Sequence, residues 1–458
     1  MVRRIATREL TGLRRDGRLY WAGGLVVVLV FTALAVGWQR QRELAAERAA
    51  AEAADYTDWL AQPERHPHTA AHQGMHVFKP DPPLSLVDPG ITPFAGSTVW
   101  LQAHRPNELK FRPAQDATGL QRFGELSPAW VLQVLGPLLV IVLGFDALAG
   151  EREQGTLRQT LSLGVPAVRL LWGKALALFA ALGLLAGPAI AVAAILTWDG
   201  GHSLLRLAWL GLGYGVYLGI AVFVVLAVSA RASSSRVALV TLLGLWIGTT
   251  LLAPRVASDL SRTWHPSPTR LTFNADLSRE IDETSARVWK EQFGVTTRWA
   301  PEVPLDQWGL ALQVDDHSRY PIFDRHFERL WNTFAGQQRA QEWLGLGVPI
   351  LAIRAFSMGV AGTDFANHRV FSIAAERHRR VIQDVVSDDL VKHADVRGAG
   401  HFDYTASREL WSRIPKFGYT PPGLTVALRD GARSLGVLAT AWLVALGLAH
   451  LAVRRLAV

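Results

Sequence analysis

His66, His68, His72 and His76 fall in one short stretch, with Met75 beside the last of them. The i, i+4, i+8 spacing of His68, His72 and His76 would align three imidazoles on one helical face, and zinc and copper both accept that donor. Gly74 and the neighbouring prolines work against one helix through all three, and no acidic residue supports the cluster closely. Polar or structural histidines are therefore the reading taken, and no metal is expected. Ser357, Asp364, His368, Glu376 and His378 are groups that a hydrolase could use. The chain has no GxSxG elbow and no HExxH pair, and Asp, His and Arg at helix ends usually serve as caps and solvated faces. No catalytic residue is expected. A phosphate-cradling GxxxxGK[ST] loop is also absent, so no cofactor is expected here and any nucleotide engine must be a separate polypeptide.

The most informative pattern runs from Asp146 to Lys174. An acidic turn carries Glu151 and Glu153, and Gly155 permits a tight change of direction. Thr156 is placed to cap a short helix whose apolar side would be Leu157, Leu161 and Leu163, with Pro166 ending it. Arg169 and Lys174 would hold the next segment at a membrane interface. Such a helix, tied at both ends, is suited to receiving a push from a partner.

The elements that flank this pattern are membrane spans. A mean hydropathy of +0.16 hides two unlike materials, apolar stretches of span length and long polar segments. Six spans are read, at about 19–38, 128–149, 174–198, 204–230, 237–253 and 432–453. The net charge of +8 does not point to nucleic acid, because the arginines crowd at the ends of alternate spans. Arg3, Arg4, Arg8, Arg14, Arg15 and Arg18 precede the first span. Arg152, Arg158, Arg169 and Lys174 lie between the second and third, Arg231 and Arg236 between the fourth and fifth, and Arg454 and Arg455 after the sixth. All four groups fall on one side if there are six spans, so both termini are expected in the cytoplasm. The first apolar run lacks a small-residue cleavage site and reads as an uncleaved helix. The chain has no cysteine, which excludes disulfides and thiolate metal sites.

The fold class is thus mainly α: a polytopic membrane protein with six transmembrane helices and a largely helical extracytoplasmic domain. Its parts are an amphipathic cytoplasmic helix (1–18), span one (19–38), a first outer insertion (39–127), spans two to five with a cytoplasmic loop at 150–173 (128–253), a second insertion (254–431) and span six with a short tail (432–458). The first insertion opens as a helix and then turns irregular from Pro63 to Pro93. Trp343–Gly362 is apolar enough for a seventh span, but Arg354 at its middle and Pro349 favour a buried or interfacial helix of the outer domain.

The Glu151–Lys174 segment closely resembles the ERE-x-GTL … LS-x-P-x-x-R … GK signature of ABC-2 permeases, and Arg3–Arg18 is similar to the elbow helix of that family. His76–Gly90, Ser357–Asp364 and Ala374–Arg380 more loosely resemble a branch with two large outer insertions and no defined substrate. The resemblance implies an exporter permease in a bacterial inner membrane, with Glu151, Glu153, Gly155, Thr156, Leu157, Leu161, Pro166, Arg169 and Lys174 in the loop that docks on the ATPase. It implies a separate ABC ATPase subunit that binds ATP and a second permease, identical or related, within the lipid bilayer. Two functions stay open: carriage of an apolar or peptide-like cargo, or transmission of ATP-driven motion to an envelope partner outside.

Overall fold

The computed structural model describes residues 1–107, 109, 110, 126–300, 302, 303 and 305–456. Residues 111–125 of the first insertion and the last two of the tail lie outside that set. Among the described residues, six helices are long and apolar enough to cross a membrane: α2 (Arg18–Leu60), α4 (Pro128–Glu153), α6 (Ala167–Leu196), α7 (His202–Arg231), α8 (Ser235–Trp264) and α14 (Leu424–Arg454). They follow α1 (Val2–Arg15), which buries Ala6 and Leu13 and leaves most of its arginines exposed. Gly173 lets α1 lie close on α6, because a Cβ there would come within 2.5 Å of Ile5.

Several helices run past the apolar windows that identify them. The first does not stop at Trp38 but continues to Leu60 as one helix. Its extension is rich in Ala, Glu, Gln and Arg, strong helix formers, and has no Gly or Pro between Trp38 and Leu60. At 1.5 Å per residue, α2 is about 65 Å long, roughly twice the hydrocarbon thickness. The fifth span likewise passes Ala253 to end at Trp264. Its passage is a π-helical turn at Ile247–Leu252, which widens the helix just before Pro254. The second span uses the same device, Val131–Leu135 ahead of Pro137.

The apolar stretch at 343–362 is not a seventh span. It breaks at Gly345–Val348 between α10 (Trp308–Leu344) and α11 (Pro349–Ala361). Thirteen residues reach about 20 Å, too short to cross. Pro349 sits in the first turn of α11, where its missing N–H does no harm. The helix is buried as expected, but its surroundings differ from the expectation. Ile350, Ile353, Phe356 and Val360 join the core of the span bundle, not that of the separate unit built by the two long segments. Gly213 on α7 makes the room, since a Cβ there would lie 2.5 Å from the Phe356 ring.

The two long segments build one unit between them, called the outer unit after the side of the membrane expected from the arginine placement. α3 (Pro67–Gln73) is followed by β1 (Met75–Phe78) and β2 (Thr98–Leu101), paired antiparallel with Met75 opposite Leu101. This small sheet corrects the reading of Pro63–Pro93 as simply irregular. From the second segment come α9 (Arg270–Phe293), α10, α12 (Phe365–Asp389) and α13 (Arg408–Arg413). Their shared core joins Trp59, Met75, Val77 and Leu101 to Phe371, Ile382, Leu410 and Trp411. Reciprocal backbone bonds between Arg65 and Ala406, 3.2 and 2.9 Å, stitch the segments together.

Candidate functional site

The loop after span two is anchored residue by residue. The Ser229 hydroxyl accepts from the N–H groups of Leu148 (3.0 Å) and Ala149 (3.1 Å). The Arg152 guanidinium donates to the carbonyls of Ala230 and Ala232, at the C-terminus of α7, where unpaired carbonyls favour a cation. Glu153 accepts from the Ser235 hydroxyl at 2.6 Å, at the start of α8. Lys174 on α6 is 2% exposed and pairs with Glu151 at 2.9 Å and with Glu9 on α1 at 2.7 Å. Three helices besides α4 therefore hold one short segment directly, and α1 joins them through Lys174.

Within that segment is α5 (Thr156–Ser162), reached through Gly155 at φ 74°. Three sequence readings change here. Gly155 occupies the N-cap, and Thr156 is the first helical residue, its hydroxyl donating back to the Glu151 carbonyl at 3.2 Å. A left-handed residue is needed to turn the chain, so the cap position goes to glycine. Leu157 is buried and Leu161 half-buried, but Leu163 is 84% exposed, just beyond the helix. Pro166 does not end α5, which stops at Ser162 before Gly164 at φ 78°; it is the N-cap of α6. Arg169 is exposed, 3.7 Å from the Met1 sulfur. The outward surface of this segment thus comprises Arg158, Gln159, Ser162 and Leu163.

A second polar cluster sits at the opposite end of span two. Gln133, in the π turn of α4, donates to Tyr214 on α7 at 2.9 Å, and its backbone carbonyl accepts from Tyr217 at 2.7 Å. Tyr214 meets the Ser357 hydroxyl of α11 at 3.0 Å, and Ser357 donates to buried Asp88. Arg354 donates to Gln133 at 3.3 Å, which answers the cost of placing a charge in this apolar helix. A search for ionisable residues in the spans misses this network, because its span members are Gln and Tyr. The available signal was one Gln in span two and two Tyr three residues apart in span four.

Burial pushes the Asp88 carboxyl above the usual range, against the pull of Ser357, the Gly90 N–H and Arg354. The folded chain then holds this proton more tightly than the unfolded chain. Its contribution to stability falls as pH rises from the ordinary carboxylate range through the raised folded value, and is flat above it. Asp88→Asn removes that slope, so wild type should gain stability over the variant as the pH is lowered. Thermal unfolding in detergent between about pH 4 and pH 8 checks this, and parallel profiles would refute it.

The candidate hydrolytic residues each engage a different partner. Asp364 caps α12 through the Asn367 N–H at 3.0 Å, Glu376 binds Arg379 and Arg380, and Ser357 belongs to the Asp88 cluster. His378 stacks edge-on to Phe417, and His368 lies near Phe365. Burial holds His378 below its ordinary range.

A first helix packed on the third span, six spans and a short helix tied between spans two and three define a helical, polytopic membrane component of the transporter type. The description "ABC-2 family transporter protein" matches residues 3–282, and the chain belongs to that family. It is accordingly the permease subunit of an ABC transporter, a family whose members work with an ATPase subunit. A domain of unknown function (DUF3526) matches residues 269–420, the stretch between spans five and six. No curated protein matches the chain.

Proposed function

We propose that this chain is an exporter permease of a bacterial inner membrane, with both termini cytoplasmic and the unit built from its two long segments outside. The observation that carries the reading is α5: it follows directly on a turn that α6, α7 and α8 hold through Glu151, Arg152 and Glu153, yet it presents Arg158, Gln159, Ser162 and Leu163 outward. A rigid helix with an uncommitted outer face is what a separate ATPase needs to move the spans. Gly155, Thr156, Leu157, Leu161, Pro166 and Arg169 shape and seat it. Basic groups at Arg158, Arg169, Arg231 and Arg454 share the end of the bundle where α1 lies, which supports the orientation. A second permease, identical or related, completes the path. A mainly apolar cavity of about 290 Å³, lined by Pro137, Trp246, Thr250, Pro349 and Ala445, suits an apolar cargo better than an ion.

A second reading is favoured by one observation, the unbroken α2. Motion given to span one would travel along a single helix into the outer unit, where it could act on an envelope partner without carrying cargo.

The test is co-purification from native membranes followed by ATPase assay. Leu163→Glu and Arg158→Glu alter only exposed side chains, so folding should be unchanged while stimulation of the partner ATPase falls roughly tenfold. Equal stimulation by both variants and wild type would remove α5 from the mechanism. Glu151→Lys is a poorer probe, because it also breaks the pair with Lys174.

A further inference from the structure

The histidine stretch does not assemble as its spacing suggests. α3 ends at Gln73, and Gly74 at φ 61° turns the chain into β1. His76 therefore leaves the row and binds Asp55, Nδ1 to Oδ1, at 2.6 Å. His66 faces His401 instead, at 3.3 Å between the Nε2 atoms. His68 and His72 remain on one face of α3 with their Nε2 atoms 3.1 Å apart.

A third imidazole arrives from elsewhere. His104, in the loop after β2, lies with its ring centre 5.1 Å from those of both His68 and His72. One nitrogen from each of the three falls within 4.8 Å of the others. Two nitrogens on a tetrahedral zinc would be about 3.3 Å apart at ordinary Zn–N lengths, so small side-chain adjustments close the set. A simple hydrogen bond between His68 and His72 accounts for two of these rings and leaves the third without a reason.

The surroundings of His104 supply that reason. Its Nδ1 lies 3.4 Å from the Asp316 carboxylate on α10, a group only 4% exposed. A carboxylate at Nδ1 keeps the proton there and leaves the Nε2 lone pair free, the arrangement that supports metal-bound histidines. Among the described residues His104 is also the one non-glycine with a left-handed backbone, φ 69°. Burial, then the neighbouring His104 and His72, push His68 down to about 3, and burial with His104 lowers His72.

We propose that His68, His72 and His104 form a site for a borderline divalent cation, zinc first, with Asp316 as the positioning residue. Three histidines and no thiolate suit zinc or copper(II) over calcium or magnesium. Exposure at His72 leaves the fourth position to water or to a ligand from outside. The site joins α3 and the β2 loop, from the first segment, to α10 of the second through Asp316. Metal binding would therefore cross-brace the outer unit.

The test uses full-length protein in detergent, carrying no histidine tag and stripped of metal. Titration with zinc against a chromophoric chelator should give one equivalent per chain, and cobalt(II) should give the intense d–d bands of a tetrahedral site. His72→Ala and His104→Ala should each abolish the cobalt bands and weaken zinc binding about 100-fold, while Asp316→Asn weakens it about 10- to 100-fold. His66→Ala and His76→Ala should bind as wild type does. His72→Gln, at an exposed position, guards against a folding defect. Less than a tenth of an equivalent on wild type, or unchanged binding by both His72→Ala and His104→Ala, would overturn the proposal.

Discussion

Replacing Lys174 with methionine is expected to lower the stability of the membrane bundle by about 3–5 kcal/mol and to free α1 from α6. The ammonium is 2% exposed and lies between two carboxylates, Glu9 and Glu151, whose side chains are 24% and 23% exposed. Without it the two carboxylates keep their desolvation cost and lose their partner. Among the described residues Glu151 Oε2 has no hydrogen-bond partner even with Lys174 present, so Lys174 is the group that offsets this carboxylate's charge. Lys174→Arg should fail as well, because a planar fork does not fit a space shaped for a compact ammonium. The combination Glu9→Gln, Lys174→Met, Glu151→Gln removes all three charges and should recover most of the loss, the outcome often seen for buried ion sets replaced as a whole. Chemical denaturation in mixed micelles and protease access to α1 would measure both. Wild-type stability for the single methionine variant would mean that the pairs contribute nothing to docking α1.

What could be read from the chain follows how local each signal is. An apolar window such as that of α6 is a property of neighbouring residues, and so is the placement of arginines at alternate span ends. The turn and short helix of the Glu151–Lys174 pattern were legible for the same reason, being made within one stretch, while the cap at Gly155, the stop at Ser162 and the exposure of Leu163 were not. The partners of that stretch were not. Glu9 lies 165 residues from Lys174, and Ala230 lies 78 from Arg152, with nothing in the local pattern to link them. The same limit explains the histidines. Spacing along α3 could pair His68 with His72, but only the antiparallel return through β2 brings up His104, and only packing of α10 adds Asp316. Composition also could not separate a buried helix of the outer unit from one wedged between spans, because Ile350, Ile353 and Phe356 satisfy both. The two largest errors at helix ends, at Leu60 and Trp264, ran in one direction, past the apolar window. Hydropathy falls where lipid ends, while helix propensity in the Ala-Glu-Arg run of α2 does not.

That mismatch at α2 leads to an experiment that separates carriage from force transmission. Trp59, near the far end of α2, is 1% exposed, and its indole N–H donates to the Trp411 carbonyl at 3.0 Å. The two rings meet edge to face with centres 5.9 Å apart, so α2 is locked to α13 at this point. Trp59→Ala should cost about 3–5 kcal/mol, nearly all of it in the outer unit. Limited proteolysis should then cut the 265–423 region sooner, while the six spans and the face of α5 stay as they are. Trp59→Phe keeps much of the ring packing but loses the hydrogen bond, and should fall between. In a reconstituted complex the two readings predict different results. If α2 transmits motion, Trp59→Ala should leave ATP hydrolysis intact and abolish ATP-driven changes at a fluorophore on the exposed face of α13. If cargo passes through the bundle, net transport should survive with a modest change in rate, because the spans and the cavity beside Trp246 do not depend on that indole. Transport lost together with hydrolysis would oppose both, since it would mean that the outer lock controls the ATPase itself.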